Sequence, residues 1–150
     1  MDLHDLPRLM PRAVAWAEVV AAHVASTGEP LDASGLSDAK TVGVQRPERV
    51  RVLMVDHLPL PSDSDLQAAA LETGLLGPTM TGLTLGHSIL IRHGQMSRRL
   101  LSHECRHVFQ YEQAGSIAEF LPLYLQSIMQ MGYFDSPFEK DARAHEMPDV

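Results

Sequence analysis

Ser97-Arg98-Arg99-Leu100-Leu101-Ser102-His103-Glu104-Cys105-Arg106-His107-Val108-Phe109-Gln110-Tyr111-Glu112-Gln113 is the stretch on which the reading of this chain turns. It contains neither proline nor glycine. Ser97 offers an N-cap and Gly115 a stop, so a helix is expected over about 97–113. Within it, His103-Glu104-Cys105-Arg106-His107 has the form H-E-x-x-H. Four residues is close to one helical turn, so both imidazoles project from one face and can hold a single ion. Glu104, about 100° round from His103, can reach a water at such an ion without being a ligand. On a helix this pattern points to zinc, with Glu104 as general base.

The rest of the helix supports that reading. With His103 at 0° and about 100° per residue, Leu101, Cys105, Val108 and Phe109 fall between about 140° and 240°, an apolar core face. Arg99, Arg106 and Gln110 fall near about 300–340°, the expected solvent edge. His103, Glu104, His107 and Tyr111 fill the remaining arc, which has no evident purpose except a site. The competing explanation is an ordinary amphipathic helix with solvated His and Glu. Cys105 points to the core and reads as a buried, inert thiol.

Working outward, Ser116-Ile117-Ala118-Glu119 is a capping box that opens a helix ending near Gly132, and Pro122 is expected to kink or split it. A last helix starts at Ser136-Pro137. Upstream, Leu83-Thr84-Leu85-Gly86-His87-Ser88-Ile89-Leu90-Ile91 alternates as one strand over about 83–91, placing Leu83, Leu85, His87, Ile89 and Ile91 on one face. His87 reads as a satisfied core or rim histidine. Val50-Arg51-Val52-Leu53-Met54-Val55 reads as a buried strand. Ser62-Asp63-Ser64-Asp65 caps a helix closed by Gly74, and Ser37–Val42 suits a short one. A first helix runs to about Ala25 with Pro11 in its first turn, burying Ala13, Trp16, Val20 and Val24. The order implies an α+β fold, a single domain over 1–150 with a small sheet against helices, in which the N-terminal helix over 1–28 can be an accessory element.

Composition narrows the function classes. The 150 residues are 45% hydrophobic with a net charge of −7, which suits a folded soluble chain and disfavours nucleic acid as a partner. Cys105 is the only cysteine, so neither an internal disulfide nor an all-cysteine zinc site is possible. No stretch of 18 apolar residues suggests a membrane span, and Ala13–Ala25, broken by Glu18 and His23, reads as a folded helix and not a signal. A cytoplasmic location is the default expectation. Oligomeric state leaves no signal.

Catalytic zinc usually keeps three protein ligands. Gln110 and Gln113 stand where a metzincin would have glycine and histidine, leaving Glu119, Asp135, Glu139, Asp141 or His145 to complete the set. Leu100-Leu101-Ser102-His103-Glu104, His107-Val108-Phe109-Gln110-Tyr111, Gly132-Tyr133 and Pro137-Phe138-Glu139 together resemble short gluzincin-type zincins, small bacterial HExxH proteins with a glutamate ligand in a P-x-E-x-x-A context. The resemblance covers about residues 36–146. It implies a zincin-like domain with an edge strand beside the active helix, with His103, His107 and Glu139 as ligands to one zinc ion. It also implies a metallopeptidase acting on a peptide or protein substrate. Ala142 is small enough to let Glu139 approach. Ser136-x-x-Glu139 is equally a capping box, which would make that carboxylate a helix-end fixture. The thermolysin-like aspartate that orients the first histidine has no counterpart, since Asp141 faces elsewhere. Tyr133, Tyr111, Arg143 and His145 are the candidate oxyanion donors. The alternative to an enzyme is a catalytically silent zinc-binding interaction or regulatory module.

Overall fold

A computed structural model describes residues 5–77 and 79–149. Its elements run α1 (Leu6–Thr27), β1 (Glu29–Pro30), α2 (Ala33–Thr41), β2 (Arg51–Val55), α3 (Ser64–Thr73), β3 (Gly82–Leu85), β4 (Ser88–Arg92), α4 (Arg98–Ala114), α5 (Ile117–Met131) and α6 (Pro137–Ala144). The fold is α+β, with one four-stranded mixed sheet ordered β1-β2-β4-β3. β4 pairs parallel with β2 and antiparallel with β3, which forms the edge.

Strand alternation divides the core between the two faces of this sheet. Ile89 and Ile91 of β4 pack with Val52 and Met54 of β2 against Cys105 and Val108 of α4, Ala39 of α2 and Val42 just after it. On the other face Leu90, Leu53 and Val55 meet Val20 and Val24 of α1. Leu83 and Leu85 of β3 turn the same way, towards α1 and α5. α1 thus packs on this second face of the sheet, with Ala17 and Val24 fully buried.

Residues 83–91 are not one strand. They form a hairpin in which Leu85 pairs with Ser88 across the two-residue turn Gly86-His87. Gly86 has φ +68°, as a glycine-first II′ turn requires. Because paired residues share a face, Leu83 and Leu85 sit with Leu90 and Ser88, opposite Ile89 and Ile91. His87 lies in the turn, its Nε2 2.9 Å from Glu112, a satisfied rim histidine.

Three helix details also differ from expectation. α1 begins a turn early, with Pro7 in its first turn and Pro11 in its interior. α2 is longer and capped by Asp32, which accepts from the Gly35 amide. α5 passes through Pro122 without splitting; the carbonyl its ring deprives of a partner belongs to exposed Ala118, where water can serve. Among the described residues no helix is long and apolar enough to cross a membrane.

Candidate metal centre

α4 starts where Ser97 Oγ accepts from the Leu100 amide at 3.0 Å and ends at Gly115. Its apolar stripe fixes Cys105 and Val108 against the sheet, which rotates His103, Glu104 and His107 towards α5, α6 and β3. All three are buried. Burial also pushes the Cys105 thiol up to about 12, so it stays protonated and inert.

α6 delivers the fourth group. Ser136 caps it by accepting from the Phe138 amide, and Glu139 does not reach back to complete a box. Its carboxylate, 1% exposed, instead takes His103 Nε2 on Oε1 and His107 Nε2 on Oε2, each at 3.0 Å. Potential ligand atoms of His103, His107 and Glu139 all lie within 4.8 Å of one another. Ala142, fully buried one turn later, leaves room for α6 to press on α4. The other candidates are committed elsewhere. Glu119 sits at the N-terminus of α5 beside Gly115, exposed Asp135 lies near Lys140, Asp141 pairs with Arg106, and His145 Nδ1 donates to the Asp141 carbonyl.

The outer ring nitrogens are held as firmly as the inner ones. His103 Nδ1 meets Glu146 Oε2 at 2.9 Å, and His107 Nδ1 meets Gln110 Oε1 at 2.7 Å. Gln110 Nε2 then donates to Asp141 and to the Phe138 carbonyl, while Arg106 grips both Asp141 oxygens. The expected solvent edge of α4 is therefore covered at Arg106 and Gln110 by α6, and Arg99 alone remains exposed. Glu146 is kept in place by the chain beyond α6. Met147 N donates to Ser102 Oγ, and Asp149 accepts from the Arg99 amide, both at 2.8 Å. Tyr124 of α5 donates to Glu139 Oε2 at 2.6 Å. Gln110, Glu146 and Tyr124 were not legible as site residues. Gln110 and Arg106 carried a signal, in lying one turn apart with Asp141 as a possible partner; Glu146 and Tyr124 carried none.

Burial opposes the imidazolium of His103, but the Glu139, Glu104 and Glu146 carboxylates outweigh it and raise its pKa to about 9. His107 is raised in the same way, burial being overcome chiefly by Glu139. Glu139 is held well below the usual carboxylate range, its burial overcome by hydrogen bonds from both histidines. Both nitrogens of each ring face an acceptor oxygen, so without a metal the cluster favours the protonated rings around an ionised carboxylate. A divalent cation presents the same positive charge to Glu139 and needs the same two Nε2 atoms. The donor set of two imidazole nitrogens and one carboxylate oxygen, each backed by a hydrogen-bonded partner, fits one metal ion.

Glu104 lies beside this cluster and outside it. Its Oε1 accepts from Thr84 Oγ1 at 2.8 Å, and its Oε2 lies against Gly82, where a Cβ would come within 3.0 Å. Edge strand β3 therefore runs along the site and aims the carboxylate. A small cavity bounded by Glu104, His107 and Glu139 and an open groove of about 600 Å³ bounded by His103, Glu104 and Glu146 meet at Gly82 and Tyr133. Tyr133 is the one expected oxyanion donor at the opening. Tyr111 is buried against Phe120, and Arg143 stacks on Phe134. No protein-family model, curated protein or solved structure matches this chain.

Proposed function

We propose that the chain is a zinc-dependent hydrolase of peptide bonds, with His103, His107 and Glu139 as ligands and Glu104 as general base, built as a gluzincin-type zincin. One observation carries the reading: a carboxylate 32 positions beyond the second histidine of an H-E-x-x-H helix meets both inner ring nitrogens at 3.0 Å. Bound zinc supplies a positive charge that polarises a carbonyl and lowers the pKa of water to about 7. The chain's own groups do the rest. Glu146 and Gln110 hold the rings so that Nε2 faces inward. Tyr124 fixes one oxygen of Glu139. Glu104, steadied by Thr84, takes a proton from the attacking water and returns it to the leaving nitrogen. Tyr133, which lines the opening, would donate to the developing oxyanion.

The decisive experiment compares two variants. Glu104→Gln is expected to keep zinc and lose peptide cleavage, whereas His103→Ala loses both. Wild-type protein that holds zinc yet cleaves nothing across a broad peptide library contradicts the hydrolase. The second reading, a silent zinc-binding interaction module, is favoured by the burial of Glu104 at 5% exposure.

A further inference from the structure

On the far side of β3 from the histidines lies a second cavity, of about 110 Å³, walled by α1, α3, α5 and the outward side chains Leu83 and Leu85. Only two hydroxyl groups belong to its walls, and both are spent. Thr73 Oγ1 donates to the Ala69 carbonyl, and Tyr124 Oη donates to Glu139. The one other polar side-chain group on the walls is the indole N–H of half-buried Trp16; a water needs about two to four polar partners, so the space suits an apolar guest. Nineteen residues line it, whereas one buried side chain of leucine size meets about 6–12. Its volume therefore suits something longer than an amino-acid side chain.

The cavity abuts the candidate metal centre across shared walls. Leu75, Leu83, Leu85, Leu121 and Tyr124 wall both it and the space that contains Glu104, His107 and Glu139. Tyr124 stands at the junction, with its ring in the apolar space and its hydroxyl on the ligand carboxylate. We infer that the cavity binds a straight aliphatic chain whose polar head lies at His103, His107 and Glu139, making the substrate an amphiphile. α3 is its thinnest wall, with Leu66 its one buried residue, tied to α1 by the exposed pairs Arg8–Asp65 and Arg12–Asp63. The aliphatic reading of the cavity stands without the metal; the placement of the head rests on the function proposed above.

Two ligand series separate those parts. Straight-chain alcohols from butanol to decanol, titrated into chelator-treated protein, probe the cavity alone. Alkyl hydroxamates from acetohydroxamate to decanohydroxamate, titrated into zinc-loaded protein, probe its connection to the centre. Affinity is expected to rise about fourfold per methylene through at least eight carbons in both series. Ala70→Phe, which fills the cavity from α3, is expected to abolish the chain-length dependence, leave acetohydroxamate binding unchanged and raise Tm. Ala69→Leu repeats the test should Ala70→Phe fail to fold. A rise that stops by four carbons, or alcohols that do not bind, overturns the aliphatic site. Acetohydroxamate that fails to bind zinc-loaded protein overturns the placement of the head, while the alcohols still decide the cavity.

Discussion

The two faces of edge strand β3 are a single residue apart in sequence and opposite in chemistry. Gly82 and Thr84 face α4, where Thr84 holds buried Glu104 and, beside it, His103 and His107 are paired with buried Glu139. Leu83 and Leu85 face α1 and α5 and line a cavity whose walls are almost wholly apolar. The polar side is over-determined: each histidine has both ring nitrogens engaged, and no buried side-chain nitrogen or oxygen among the described residues lacks a partner. The apolar side is under-filled. A network of buried charges holds its geometry only when complete, whereas an apolar cavity tolerates vacancy at a modest cost in stability. The first arrangement suits fixed chemistry and the second an exchangeable guest.

The largest effects are expected where the polar side is broken. Glu139→Ala leaves His103 and His107 facing each other without their carboxylate. It should destabilise metal-free protein by about 3–5 kcal/mol in chemical denaturation and abolish metal retention on dialysis. Removing an outer partner is milder: Glu146→Ala and Gln110→Ala should each weaken metal affinity about 10–100-fold by chelator competition, with circular dichroism unchanged. Equal affinities would show that the rings are held by packing alone.

Gly82→Ala tests the strand itself. The added methyl group meets Glu104 Oε2 at 3.0 Å and should displace that carboxylate, cutting peptide cleavage roughly tenfold or more while metal affinity stays the same. The effect of pH on metal-free protein comes next. His103 is raised from 6.5 to about 9, so its stabilising contribution is complete below about pH 6.5 and is lost as pH rises through about 9. Denaturation midpoints should accordingly fall between those values in chelator and fall less in His103→Gln, where the raised His107 remains. The smallest change is expected at the rim of the apolar side. Arg12→Ala removes an exposed pair with Asp63 and should cost under about 1 kcal/mol.

The same contrast explains what was legible in the sequence. Local chemistry was: H-E-x-x-H at helical spacing, Ser97 and Gly115 as helix bounds, and Ser136-Pro137 opening α6. Glu139 was reached only by resemblance, because a capping box and a ligand look alike until tertiary packing decides where the carboxylate goes. Glu146 was invisible because its position depends on a turn after α6 held by Ser102 and Arg99. The hairpin at Gly86-His87 was missed because a two-residue turn preserves the alternation of Leu83, Leu85, Ile89 and Ile91 while reversing which face the second pair occupies. The cavity could not be read at all, since leucines that line a space and leucines that fill one share the same periodicity.

Isothermal titration of zinc into chelator-treated protein tests the central claim most directly. One ion per chain is expected to bind with proton release, because His103 and His107 must lose their protons to become ligands, and binding should vanish in His103→Ala. Absence of binding by the wild type, or binding that survives loss of His103, would contradict the metal centre.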